Sequence, residues 1–221
     1  MDQITSTHIT DIFRLIALRL SEARVELGAL DGAIGDADHG NSMAEGFAAV
    51  VRATSARSDA SPADLFMLAA RSFHSAVGAT TGPLYASAMT AAGRDLEGKG
   101  TLEATDIVRL VPSFARGIAE RGKAQAGDKT MMDAWGPAAR AAVEALNAGL
   151  TARQSMARAE AAAREGCEST RAMVASVGRA ARLGARSLGH VDPGAASAAI
   201  IIAALQEWLA GPHATDAGSA V

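Results

Sequence analysis

Residues 9–20 read Ile-Thr-Asp-Ile-Phe-Arg-Leu-Ile-Ala-Leu-Arg-Leu, with Ile9, Ile12, Phe13, Ile16 and Leu20 recurring at steps of three and four. That spacing lines one face of an α-helix, whereas a half-buried strand would alternate. It predicts a first helix from about Thr7 to Leu27, and the same period returns along the chain. Met43, Phe47, Val50 and Val51 predict a second helix. Ser61-Pro62-Ala63-Asp64 supplies a hydroxyl cap, a proline at the first helical position and a first-turn carboxylate. Leu65, Leu68, Ala69, Phe73 and Ala76 carry that third helix to Gly78. A fourth is expected from Pro83 to Gly98, and a fifth from Thr101 to Glu120 with Pro112 as a kink. The sixth spans about Thr130 to Ala148, the seventh Ala152 to Val177 and the eighth Ala195 to Leu209. No stretch alternates as a strand would. Short links containing glycine favour antiparallel neighbours, so the expected fold is all-α, an up-and-down helical assembly.

Composition agrees with this. Of 221 residues 49% are apolar but only 4% aromatic, and small side chains let helix axes approach closely. The length suits one domain over residues 1–210, with Gly211 to Val221 expected to be a frayed tail. A net charge of −3 and the lack of a dense Lys/Arg cluster argue against a nucleic-acid partner. The one cysteine, Cys167, excludes an intrachain disulfide and fits a reducing compartment. No basic-then-apolar leader is visible, and the longest apolar stretch, Ala195 to Leu205, is short for a membrane span. A cytoplasmic protein is expected.

The chemistry concentrates after the first helix, at Leu30-Asp-Gly-Ala-Ile-Gly-Asp-Ala-Asp-His-Gly-Asn-Ser-Met43. Asp31, Asp36 and Asp38 crowd into this glycine-broken segment with no basic side chain among them. Such carboxylates repel one another unless a cation lies between them. An all-oxygen donor set suits Mg²⁺ or Ca²⁺ over zinc. Solvated turns and helix caps have a similar composition, but Leu27, Leu30 and Ile34 anchor this segment to a core. An EF-hand fits poorly, because its twelfth position would be Phe47. Mg²⁺ commonly shares its shell with substrate phosphates.

Four glycine-bearing loops, Asp36–Ser42, Gly78–Pro83, Gly122–Thr130 and Arg186–Gly194, follow alternate helices. In an antiparallel assembly they share one mouth. Carboxylates, the hydroxyls of Thr80 and Thr81, Arg179, Arg186 and the helix starts after these loops describe a nucleotide-phosphate site. Gly122 to Thr130 resembles a Walker A loop only superficially: Asp128 intrudes before Lys129, and no strand precedes it. His39 and His190 adjoin glycines, where capping or solvent-facing histidines are ordinary.

Together, "LDGAIGDADHGNSM", "VGATTGPLYAS", "RGKAQAGDKTMMDAW" and "GRAARLGARSLGHVDPGA" resemble, in order, the nucleotide-binding L subunits of bacterial dihydroxyacetone kinases. The resemblance implies a closed barrel of eight antiparallel helices with ADP or ATP at one mouth. It implies two Mg²⁺ ions on Asp31, Asp36 and Asp38, and nucleotide contacts at His39, Gly40, Asn41, Ser42, Thr80, Thr81, Gly122, Met131, Arg179, Asp192, Pro193 and Gly194. Arg179 is the candidate catalytic residue, stabilising charge during phosphoryl transfer. The implied partners are a K-type subunit that holds dihydroxyacetone or a related short ketose such as erythrulose and, where ADP stays bound, a phosphohistidine donor of the phosphotransferase system. A nucleotide-sensing regulator that binds a transcriptional activator is the alternative. Ser42, Ala79 and the stretch Val177 to Arg182 depart from the family pattern, which bears on the partner surface.

Overall fold

The structure is a computed structural model describing residues 3–57, 59–78 and 80–211. Among these residues the α-helices are α1 (Ser6–Glu22), α2 (Arg24–Ile34), α3 (His39–Ser55), α4 (Pro62–Ala76) and α5 (Thr81–Asp95). They continue with α6 (Ala104–Gly122), α7 (Met132–Asn147), α8 (Ala152–Ser169) and α9 (Pro193–Ala210). 3-10 turns occupy Thr170–Ala172 and Ala180–Ser187. The only β pairing among the described residues is one antiparallel bridge between Ile4 and Leu102.

The helix starts follow from local chemistry. Ser61 Oγ accepts the Asp64 N–H at 3.2 Å, with Pro62 as the first helical residue. Thr151 and Gln154 exchange side-chain-to-backbone bonds of 3.0 and 3.2 Å, a reciprocal cap at the start of α8. Each cap satisfies an N–H that the helix cannot satisfy itself, and losing one costs about 1 kcal/mol.

Packing order runs α1–α3–α4–α5–α6–α7–α8–α9, and α9 packs back on α1, so the succession of neighbours closes on itself. Small residues set the approach. A Cβ on Gly166 of α8 would lie 2.0 Å from the Asp133 carbonyl oxygen, so α7 and α8 are closer than any side chain allows. The few aromatic rings meet edge-on or tilted inside: Phe13 on Phe66, Phe66 on Phe114 and Phe114 on Trp135, with centroids 5.2 to 6.3 Å apart.

Several boundaries differ from the sequence reading. The first predicted helix is two helices, separated at Ala23, where no glycine or proline announces a break. Asp31 therefore lies within α2, not in a loop. It shares the buried face with Leu27 and Ile34, four residues before it and three after. α6 continues through Pro112 to Gly122. The helix expected to reach Val177 stops at Ser169, where Thr170 Oγ1 donates to the Cys167 carbonyl and accepts from the Asp192 N–H.

α9 is longer than expected because Asp192 caps it: its Oδ2 accepts the Ala195 N–H at 2.7 Å. At 18 residues α9 is long and apolar enough to cross a membrane. Here, however, it is a core helix, with Ala195, Ala198, Ile201, Ile202 and Leu205 buried. The expected frayed tail falls, beyond Gly211, outside the described residues, as does the Ala79 departure.

Candidate nucleotide and metal site

α5 begins, and α6 ends, at one end of the assembly, where a cavity of about 250 Å³ opens. Its lining draws on all four loops: Asp36, Asp38 and Ser42; Thr80 and Thr81; Gly122 and Thr130; Asp192 and Gly194. α3, α5, α7 and α9 all start here. Four helix N-termini thus face one space, each bringing the positive end of its dipole.

Asp31, Asp36 and Asp38 each present an oxygen, and these atoms lie within 4.8 Å of one another. Asp31 is buried while Asp36 and Asp38 are exposed. The buried carboxylate is oriented by backbone: its Oδ2 accepts the N–H groups of Asp38 at 2.9 Å and His39 at 3.1 Å. α3 must come very close to α2 for this. A Cβ on Gly40 would sit 2.0 Å from the Arg24 carbonyl oxygen, so only glycine fits. Ala37, between the two exposed aspartates, adopts a left-handed φ of 64°, which turns both toward the mouth. The donor set is hard, anionic and convergent, and it fits Mg²⁺.

The absence of a basic neighbour, read from the local sequence, does not survive folding. Arg179 Nη1 is in direct contact with Asp36 Oδ2 and lies 3.8 Å from Asp38 Oδ2. Arg179 enters just before the 3-10 segment Ala180–Ser187, after Gly178 at φ 73°.

His39, Ser42, Thr80, Thr81, Gly122, Met131, Arg179, Asp192 and Gly194 line the cavity with the three aspartates. Gly40, Asn41 and Pro193 do not: Gly40 is the close approach to α2, Asn41 is exposed and Pro193 is buried at the start of α9. Arg186 is exposed and outside the lining, as is His190. Lys129, rejected above as a phosphate lysine, is buried with its ammonium donating to the Thr170 carbonyl at 2.6 Å and to the His190 carbonyl. It ties the loop before α7 to the link before α9, and burial lowers its pKa.

Sequence reasoning missed two groups of residues. Ile34, Leu84, Ile118, Met132 and Val177 form an apolar wall, signalled only as ordinary helix-face residues. Asp133 accepts the Gly127 N–H at 2.5 Å and the Thr130 N–H at 2.8 Å, which shapes the loop at the rim.

Burial dominates the titrations. Asp192, enclosed under the mouth, is pushed up to about 7 despite its bonds to the α9 N–H groups and the nearby Lys129. His39 is pushed below its usual value, because desolvation disfavours imidazolium.

Comparison with known proteins identifies the arrangement. The DAK2 domain model matches residues 33–207. The chain belongs to the DAK2 domain family. It is 34% identical over 187 residues to the PEP-dependent dihydroxyacetone kinase 1, ADP-binding subunit DhaL, of Listeria innocua, covering 85% of this chain and 88% of that protein. The corresponding Escherichia coli subunit is 35% identical over 171 residues, covering 77% and 81%. L-erythrulose 1-kinase of Mycolicibacterium smegmatis is 36% identical over 191 residues, 86% of this chain but 33% of that enzyme.

Among solved structures, dihydroxyacetone kinase from C. freundii in complex with AMP-PNP and Mg²⁺ superposes with a TM-score of 0.70 at 26% identity. The match covers 94% of this chain and 35% of that one, so this DAK2 chain spans about a third of the solved kinase's length.

Proposed function

We propose that this chain is the nucleotide-binding, phosphoryl-donating subunit of a kinase acting on dihydroxyacetone or a related short ketose. The observation that carries the reading is the convergence of three carboxylate oxygens within 4.8 Å at a rim where four helices begin. Anionic ligands for a hard cation beside cationic helix ends suit a metal-bound polyphosphate.

Asp31, Asp36 and Asp38 would hold Mg²⁺, in our reading two ions, which neutralises phosphate oxygens when bound. The first-turn N–H groups of α3 and α5, with the hydroxyls of Ser42, Thr80 and Thr81, are assigned to the phosphates. Gly122, Met131, Asp192, Pro193 and Gly194 complete the nucleotide's surroundings. The apolar wall of Ile34, Leu84, Ile118, Met132 and Val177 suits a flat base. Arg179 is assigned to developing charge in the transfer. Its contact with Asp36 places a cation among the carboxylates, the charge that a metal bound there would supply instead.

Among the described residues no pairing of nucleophile and base for a sugar lies in the mouth, and substrate activation is assigned to a separate K-type subunit. Support for ADP as a resident coenzyme, recharged by a phosphohistidine protein, comes from the names of the PEP-dependent relatives. Support for a four-carbon ketose comes from the erythrulose kinases. Residues 1–210 are taken as one domain acting in the cytoplasm.

The test is reconstitution. The purified chain with ATP and Mg²⁺ should not phosphorylate dihydroxyacetone or erythrulose, and adding the K subunit, with the phosphohistidine donor where ADP is retained, should restore turnover. Robust ketose phosphorylation by the chain alone would overturn the assignment.

A further inference from the structure

The loop before α7, which imitates a phosphate loop without being one, carries two adjacent charged residues, Asp128 and Lys129, that both reach the connection between α8 and α9. That connection is closed on itself. Across its base the Gly189 N–H donates to the Arg171 carbonyl at 2.8 Å, and Arg171 Nη1 donates to the Gly189 carbonyl at 3.2 Å. Further out, the buried Ser187 hydroxyl accepts the Ala175 N–H at 2.9 Å and donates to the Gly184 carbonyl at 2.7 Å. These rungs pinch off an Ω-like loop. Its residues Val177, Gly178, Arg179 and Ala180 form part of the mouth.

The rungs hold the shape of this loop but not its direction, because both partners of each rung belong to the loop itself. Direction comes from outside. The Lys129 ammonium clamps the base through the Thr170 and His190 carbonyls. Beyond Ala175, the polar contacts of residues 176–186 with other elements are, among the described residues, two. Arg179 meets Asp36 and Asp38. Ser176 meets Asp128: its hydroxyl donates to Asp128 Oδ1 at 2.5 Å and its N–H to the Asp128 carbonyl at 3.3 Å. Asp128 is itself held in a tight turn, where Oδ2 accepts the Gln125 N–H at 2.7 Å and the Asp128 N–H donates to the Gln125 carbonyl at 3.2 Å.

We propose that Asp128 and Ser176 are positioning residues, a latch that aims the loop carrying Arg179 at the metal carboxylates. Lys129 fixes one point of the loop and Asp128 a second, and two points set its direction. With Ser176 held, Arg179 follows only three residues later, a reach of about 11 Å at full extension. Gly178, at a left-handed φ of 73°, bends that short tether. A hydroxyl on a carboxylate is a charge-assisted bond, stronger than a neutral one. Neither Asp128 nor Ser176 lines the cavity, so neither touches a nucleotide there, and any effect on transfer passes through the loop they hold. The positioning role rests on the assignment of Arg179 to the transfer; the latch itself does not.

Ser176→Ala removes the hydroxyl, Ser176→Thr keeps it, and Asp128→Ala removes its acceptor. In nucleotide-free protein, trypsin should cut after Arg179 or Arg182 about 3- to 10-fold faster in Ser176→Ala than in wild type, with Ser176→Thr at the wild-type rate. In the enzyme reconstituted with its K subunit, kcat should fall by a similar factor in Ser176→Ala and Asp128→Ala. Calorimetric affinity of the chain for Mg·ADP should stay within about twofold. In an Arg179→Ala background, Ser176→Ala should cost nothing further, because both changes act on one group. Unchanged cleavage overturns the latch. Wild-type turnover in Ser176→Ala and Asp128→Ala, an affinity loss as large as the loss in kcat, or a loss that persists without Arg179 overturns the positioning role. Should Arg179→Ala turn over like wild type, or no turnover be reconstituted, the functional assignment and the positioning role fall together, and cleavage alone decides the latch.

Discussion

The two ends of the helical assembly are built on opposite principles. At the far end, where α5 stops and α6 starts, charges are paired and the backbone is closed. Ile4 and Leu102 exchange both backbone bonds, at 2.8 and 2.9 Å. Asp106, buried in the first turn of α6, accepts from Lys99 at 2.6 Å and from the Glu103 N–H at 3.0 Å. Asp95 takes Arg116 on both oxygens and the Ser113 hydroxyl. At the mouth, one arginine serves two of three clustered carboxylates, four helix N-termini converge and Asp192 is buried as an acid. One end uses its polar groups to complete the fold. The other leaves them for a ligand, at a cost in apo stability, which is how binding sites commonly differ from scaffold.

The sharpest way to break this contrast is at the metal carboxylates. Asp36→Asn should abolish Mg²⁺-dependent ADP binding in calorimetry while the helical CD spectrum stays near wild type. An unchanged affinity would remove the mouth's claim to a metal.

The next largest effect is a pH dependence. The folded Asp192 titrates near 7, against roughly 3.9 in an unfolded chain. Between these values the folded state binds more protons, so this group's contribution falls as pH rises from about 4 to 7 and is flat above. The loss amounts to as much as about 4 kcal/mol. His39, held neutral, acts in the opposite sense below about pH 6.5. Denaturant melts of nucleotide-free wild type and Asp192→Asn, which keeps a capping acceptor, should diverge across pH 5 to 8. Parallel curves would mean that Asp192 is ionised throughout.

Ligand linkage comes third. A Mg·nucleotide that bridges the four loops stabilises the folded state by roughly 2.7 kcal/mol at a hundredfold excess over its dissociation constant. Thermal scans should show an upward shift that EDTA removes. No shift at saturating nucleotide would count against the bridging mouth.

The smallest effect belongs to the far end. Asp106→Ala removes a cap and a buried partner of Lys99, and should cost about 2 kcal/mol in chemical denaturation. Mg·ADP affinity should be unchanged, since no part of that end reaches the mouth. A variant that lost both stability and affinity would show that the two ends are coupled.

Local patterns in the sequence were enough for the helices, for the cap at Ser61 and for the cluster of Asp31, Asp36 and Asp38. Each depends on residues within one or two turns of each other, where side-chain periodicity and capping act directly. The grouping of four glycine loops was also legible, because alternation of antiparallel helices places them by counting. The break at Ala23 was not legible: no residue there opposes a helix, and the turn brings the α2 face of Leu27, Asp31 and Ile34 onto its packing partners.

Tertiary structure alone decided which distant groups meet. Arg179 reaches Asp36 across 143 positions, as the residue numbers give, and turns a cluster without a local cation into one that has one. Lys129 spends its charge on the carbonyls of Thr170 and His190 rather than on phosphate. Asp192 becomes a weak acid because the assembly around it excludes water, not because of its neighbours in sequence. His39 and Ser197, 158 residues apart, become one polar contact beneath the mouth. Residue types state what each group can donate, accept or ionise. Only the folded packing sets its distance and its dielectric surroundings, and those two quantities determine what it does.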